Sequence, residues 1–110
     1  MAKTSPSLFG LRMRAARLDA GLSQERLGVL IGLDEQCSSA RISRYEGGVH
    51  EPPFRTAEQI ALALDVPVAY FYCPDDALAQ LLLLAFRLDE AGRGHLEQTA
   101  KSLIKADSAQ

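Results

Sequence analysis

Apolar residues recur along this chain at three- and four-residue spacing, the period of one helix face, and they alternate nowhere for more than a few positions. The pattern predicts helices and no sheet. A first helix is expected from near Ser7, with Ser5 or Ser7 as its cap and Leu8, Leu11, Ala15 and Leu18 along one side, until Gly21 ends it. Ser23 is placed to cap a second helix through about Ile31, with Glu25 in its first turn and Leu27, Leu30 and Ile31 apolar, and Gly32 stops it. The polar stretch LDEQC then reads as a connector, and Ser38 as the start of a third helix with Ile42 and Tyr45 inward and Arg41 and Arg44 outward. Gly47 and Gly48 close that helix.

Beyond the HEPPF break, Thr56 to Leu64 carries Ala57, Ile60, Ala61 and Leu64 on one face, and Pro67 opens a short helical turn through Tyr72. Cys73-Pro74 is another break. Asp75 or Asp76 caps an apolar helix from Ala77 to about Leu88, and glycines 92 and 94 are expected to separate it from a last helix, His95 to about Lys105, with Leu96, Ala100, Leu103 and Ile104 aligned. The chain is all-α on this reading.

With 110 residues, 47% hydrophobic and 24% charged, the chain suits one domain, 7-73, and a helical extension, 74-110. No apolar run of about eighteen residues is present and the start lacks a secretory core, so a cytoplasmic location without membrane contact is the default expectation. Cys37 and Cys73 form no CxxC pair and join no Cys/His cluster, and His50 and His95 stand alone as solvated or capping residues, so neither a metal nor any cofactor is expected. The absence of a Gly-rich phosphate loop and of a Ser/His/Asp set argues against an enzyme.

The formal net charge is -2, yet it is unevenly spread. Through Gly48 there are seven basic residues (Lys3, Arg12, Arg14, Arg17, Arg26, Arg41, Arg44) against five acidic, whereas from Val49 onward there are five basic against nine acidic. Screening confines phosphate attraction to roughly 8 to 10 Å in physiological salt, so a basic face can act on an acidic protein. Two short helices joined by a turn, the second bearing an arginine pair, are how small domains place a helix in a DNA groove.

Taken in order, RLDAGLSQERL, ARISRYEGG, a proline break, AEQIALALDVP and YFY make Leu11 to Tyr72 resemble the lambda-repressor-like, Cro/Xre-type helix-turn-helix family. The resemblance implies a five-helix DNA-binding domain and double-stranded DNA as partner. It also implies that Gln24 meets phosphate or supports a recognition side chain, and that Arg17 and Glu46 form an ion pair tying the first helix to the recognition helix. The expected DNA-facing set is Gln24, Ser38, Ser39, Ala40, Arg41, Ser43 and Arg44, with Arg44 foremost for base reading because Arg holds guanine O6 and N7 bidentately. One departure stands out: the connector at DEQC is about four residues longer than the family's, leaving Asp34 and Glu35 to cap, to be solvated or to touch a cytosine amino group, and Cys37 as a semi-buried loop residue.

In ALAQLLLLAFRL the apolar residues lie almost all round the helix. Leu78, Leu81, Leu82, Leu84 and Phe86, with Leu103 of the last helix, are therefore expected to form a homodimer contact. The function expected is a sequence-specific transcriptional regulator, acting as a dimeric repressor on a palindromic operator through the major groove. The alternative is an antitoxin-like or adaptor module whose C-terminal helices bind a second protein.

Overall fold

A computed structural model describes residues 6–108, and within them the chain is wholly helical. Helix α1 spans Leu8–Asp19, α2 Gln24–Leu30, α3 Glu35–Glu46 and α4 Phe54–Leu64; a 3-10 turn covers Val68–Tyr72, followed by α5, Asp76–Arg87, and α6, Glu90–Ser108. Side-chain caps set four of these starts. Ser7 accepts from the Gly10 amide, Ser23 from Arg26, Asp34 from Gln36 and Asp75 from Leu78, each supplying an acceptor to a first-turn N–H that has no partner within the helix.

The core draws one fully enclosed side chain from each of five elements: Met13, Leu27, Ile42, Ile60 and Phe71 all have 0% exposure. Burying a side chain of that size contributes about 1.5–3 kcal/mol, so these five and the Phe9–Phe71 ring pair, 4.9 Å between centroids, hold the first four helices and the 3-10 turn together. The α4 face is the one its spacing predicts, Ala57, Ile60, Ala61 and Leu64.

Helix α1 corrects the sequence reading. Leu11 is 53% and Leu18 56% exposed, while the buried stripe is Phe9, Met13, Ala16 and Arg17. Both stripes have helical spacing, and the aromatic 3-10 turn packed against α1 selects the one that carries Phe9. The C-terminal helices differ from expectation as well, because α6 runs unbroken through Gly92 and Gly94. Its start is fixed by Asp89, whose carboxylate accepts from the Gly92 amide at 2.7 Å, and Arg93 reaches back to the Ala85 and Phe86 carbonyls at 2.9 and 2.8 Å. Those contacts outweigh the roughly 1 kcal/mol that each interior glycine costs a helix.

None of the 19 residues of α6 is buried, and Ala79 is the one buried residue of α5. The described residues extend 57 × 34 × 23 Å with a radius of gyration of 16.9 Å, against about 13 Å for a spherical domain of 100 residues. The last helices project from the body.

Candidate nucleic-acid interface

The turn between α2 and α3 is made by Gly32, at φ +92, a backbone state that side-chain-bearing residues rarely adopt. After it Leu33 turns in and Asp34 caps α3, so the three residues Glu35 to Cys37 are helical and not a connector. The recognition helix is thereby one turn longer at its leading end than the reading that began it at Ser38. Asp34 takes the capping role, its Oδ1 accepting from the Gln36 amide at 3.1 Å, and Cys37 lies exposed in the first turn and not semi-buried in a loop.

Successive helical residues are about 100° apart, and the buried members of α3 are Ser38, Ile42, Tyr45 and Glu46. The opposite side is then Gln36, Ala40, Ser43 and Arg44, with Cys37 at its margin, and all five are exposed. Arg41 lies on the flank nearer the loop after α3, where it lines a shallow depression with Arg44, Tyr45, His50 and Glu51. Glu35 lies on the other flank, beside Ser23, Glu25 and Arg26 of the α2 start. Among the described residues neither Arg41 nor Arg44 has a carboxylate within ion-pair distance, which leaves both guanidinium groups available to an outside partner.

Ser38 does not belong to that surface. Its side chain has no exposed area and its Oγ donates to the Glu25 carbonyl at 2.6 Å, bonding α3 to the first turn of α2. Gly28 makes this approach close: a Cβ there would lie 2.8 Å from Ser38 Cβ and 3.0 Å from its Cα, well inside van der Waals contact. The physical reason for the correction is helical phase: with Asp34 as the cap, Ser38 lies inside the helix, four residues before Ile42 and seven before Tyr45, and so on their inward stripe.

At the other end of α3 a buried ion pair fixes its tilt. Arg17 donates from Nε to Glu46 Oε2 at 2.7 Å and from Nη2 to Oε1 at 3.1 Å, and its Nη1 holds the Leu22 carbonyl at 2.9 Å. Gln24 donates from Nε2 to the same Glu46 Oε1 at 3.1 Å. Three elements, α1, α2 and α3, thus meet on one carboxylate, and Gly10 lets the α1 backbone come against the Tyr45 and Glu46 carbonyls. No buried side-chain nitrogen or oxygen among the described residues lacks a partner, so the pair is fully satisfied.

This geometry redistributes the basic residues counted from the sequence. Arg17 is consumed by Glu46, and Arg12 by the Cys73 carbonyl, at 3.2 and 2.7 Å, and by Asp76 at 2.9 Å. Arg14, which the sequence reading did not single out, lies with Gln24 and Ser43 around one depression at the end of α3. Gln36 was missed also, and the signal that would have found it is Asp34, an N-cap residue followed by an acidic first-turn residue. Ser39 is exposed between the outward strip and the flank that carries Glu35.

Comparison with known proteins supports a common origin for this arrangement. A family model described as a helix-turn-helix domain matches residues 8–70. Two proteins named as HTH-type transcriptional regulators, from Sinorhizobium medicae and Rhizobium meliloti, are each 35% identical over 63 residues, which is 57% of this chain and 42% of theirs. The chain therefore spans less than half the length of those curated relatives. The crystal structure of the transcriptional regulator BswR superposes with a TM-score of 0.84 at 45% identity, covering 88% of this chain and 96% of that one, so the likeness extends past the family match into the C-terminal helices. No helix among the described residues is long and apolar enough to cross a membrane. Family and fold are those of transcriptional regulators and not of enzymes, and the chain belongs to the helix-turn-helix domain family, of the Cro/Xre type.

Proposed function

We propose that this chain is a sequence-specific DNA-binding repressor that docks α3 in the major groove of a palindromic operator as a homodimer. The observation carrying the proposal is the outward strip of α3, where Arg44 stands exposed without a carboxylate partner among the described residues. Arg44 reads a guanine, its planar fork matching O6 and N7, while Arg41, displaced to the flank, contacts phosphate. Gln24, Arg14 and Ser43 contact the backbone at the end of the helix, and Ser39 and Ala40 line the groove, the Ala40 methyl against a thymine methyl. Arg17 and Glu46 hold the helix at its angle and touch no DNA.

Dimerisation is supported by α5 and α6. Leu78, Leu81, Leu84 and Leu103 are 50, 55, 62 and 66% exposed and Phe86 is 36% exposed, while Leu82 is half-buried against the core, so several large apolar side chains of these helices stand in water for want of a partner. Two recognition helices about 34 Å apart would each read one half-site in successive major-groove turns.

The test is fluorescence anisotropy on DNA fragments upstream of the chain's own gene, together with light scattering. Salt-sensitive, sequence-dependent binding and a dimer mass are expected. Arg44→Ala should lose about 1 to 3 kcal/mol on specific sites, and Arg41→Ala should weaken all sequences alike and reduce the salt slope. Equal binding of every sequence by the wild type refutes the proposal. The same apolar helices carry the second reading, a module that binds another protein; a monomer that acquires a stoichiometric foreign chain and shows no DNA preference would establish it.

A further inference from the structure

The leading turn of α3 needs an explanation of its own. It carries Asp34 and Glu35, two carboxylates that repel phosphate, so it does not serve as an anchor on the DNA backbone. Both are also turned away from the strip: the Asp34 carboxylate is occupied by the Gln36 amide, and Glu35 flanks the start of α2. What this turn adds to the outward side is Gln36, exposed, with no hydrogen bond from its side chain among the described residues. It stands one turn ahead of Ala40 and two ahead of Ser43 and Arg44, on the same side of the helix.

We infer that the added turn places Gln36 on the floor of the major groove as a reader of adenine, lengthening each half-site at the leading end of the helix. The inference rests on the DNA-binding reading above. A glutamine amide offers a donor and an acceptor in one plane, the complement of adenine N7 and N6. Eight residues separate Gln36 from Arg44, about 12 Å along the axis, which is three to four base-pair steps of about 3.4 Å. The three added residues span about 4.5 Å, so the half-site grows by about one base pair relative to a helix beginning at Ser38.

Selection of bound fragments from random DNA tests this with the full chain, the wild type beside Gln36→Ala, Gln36→Arg and Arg44→Ala. Alanine keeps the backbone N–H that Asp34 accepts and favours the helix, so the fold is preserved. The wild type should prefer adenine at a position three or four steps from the one that Arg44→Ala flattens. Gln36→Ala should reduce that preference about ten-fold or more, with non-specific affinity and salt slope unchanged, and Gln36→Arg should move it to guanine at the same position. A wild type with a defined site whose profile Gln36→Ala leaves within two-fold overturns the inference while DNA reading stands. A wild type that selects no site overturns both.

Discussion

Replacing Arg17 by Met tests what holds the recognition helix in place. The side chains of Arg17 and Glu46 are 8% and 4% exposed, and the substitution removes all three donors that Arg17 supplies, two to Glu46 and one to Leu22. Glu46 then keeps one hydrogen bond, from Gln24, for a carboxylate that water scarcely reaches. Stranding one partner of a buried pair costs about 3–5 kcal/mol, a large share of the roughly 5–15 kcal/mol that stabilises a domain of this size. At roughly 4–8 °C per kcal/mol the melting temperature should fall on the order of 12–40 °C. The double variant Arg17→Met/Glu46→Leu removes both charges and is expected to recover to within about 1 kcal/mol of the wild type, because the desolvation penalty disappears with the pair. Urea denaturation followed by circular dichroism, at one protein concentration so that association does not move the midpoint, measures both. A single variant within 1 kcal/mol of wild type, or a double variant no more stable than the single, refutes the reasoning.

Three further outcomes follow from named contacts. Gly28→Ala gains about 1 kcal/mol of helix propensity yet drives a methyl into Ser38; overpacking of about 1–3 kcal/mol and a weakened Ser38–Glu25 bond of about 0.5–1.5 kcal/mol dominate, so thermal melting should come earlier, and an unchanged or higher midpoint would contradict the close approach. Arg93→Ala should speed amide hydrogen exchange in the first turns of α6, since it releases the Ala85 and Phe86 carbonyls, while α3 keeps its wild-type protection; α6 exchange unchanged from the wild type would deny the clasp a role. Burial, and after it the negative charge of Glu51, hold the Tyr72 phenol above its ordinary 10.0. The folded state therefore retains that proton more tightly than the unfolded chain: Tyr72 leaves stability unaffected below pH 10 and erodes it as pH rises through the folded value, a decline that Tyr72→Phe should lessen in alkaline melts and that phenolate absorbance should place above 10.

The parts of the candidate interface that were legible in the sequence are those set by neighbours in the chain. Ser23 and Asp75 announce their helices because a cap needs only the amides two or three residues on. Ile42 and Tyr45 fall inward because helical period alone puts them on one side of a helix whose other side is polar. Ser38 misled because it reads as the exposed start of the helix, whereas Asp34, a residue whose capping and solvated roles look alike in one dimension, takes the cap and leaves Ser38 inside the helix on the stripe of Ile42.

By itself the sequence determined that the chain is helical, where most helices begin and end, and which motif the second and third compose, since periodicity, caps and glycine stops act over a few residues. Tertiary structure alone decided which of two equal stripes of α1 is buried, that Arg12 serves the fold and not an outside ligand, and that Ser38 packs on α2 beside Gly28. Each of those outcomes joins residues far apart in the chain, Ser38 to Glu25 and Arg12 to Cys73 among them. Which charges face water is settled by which partners the packed helices bring within hydrogen-bond reach, and spacing along one strand of sequence does not contain that distance.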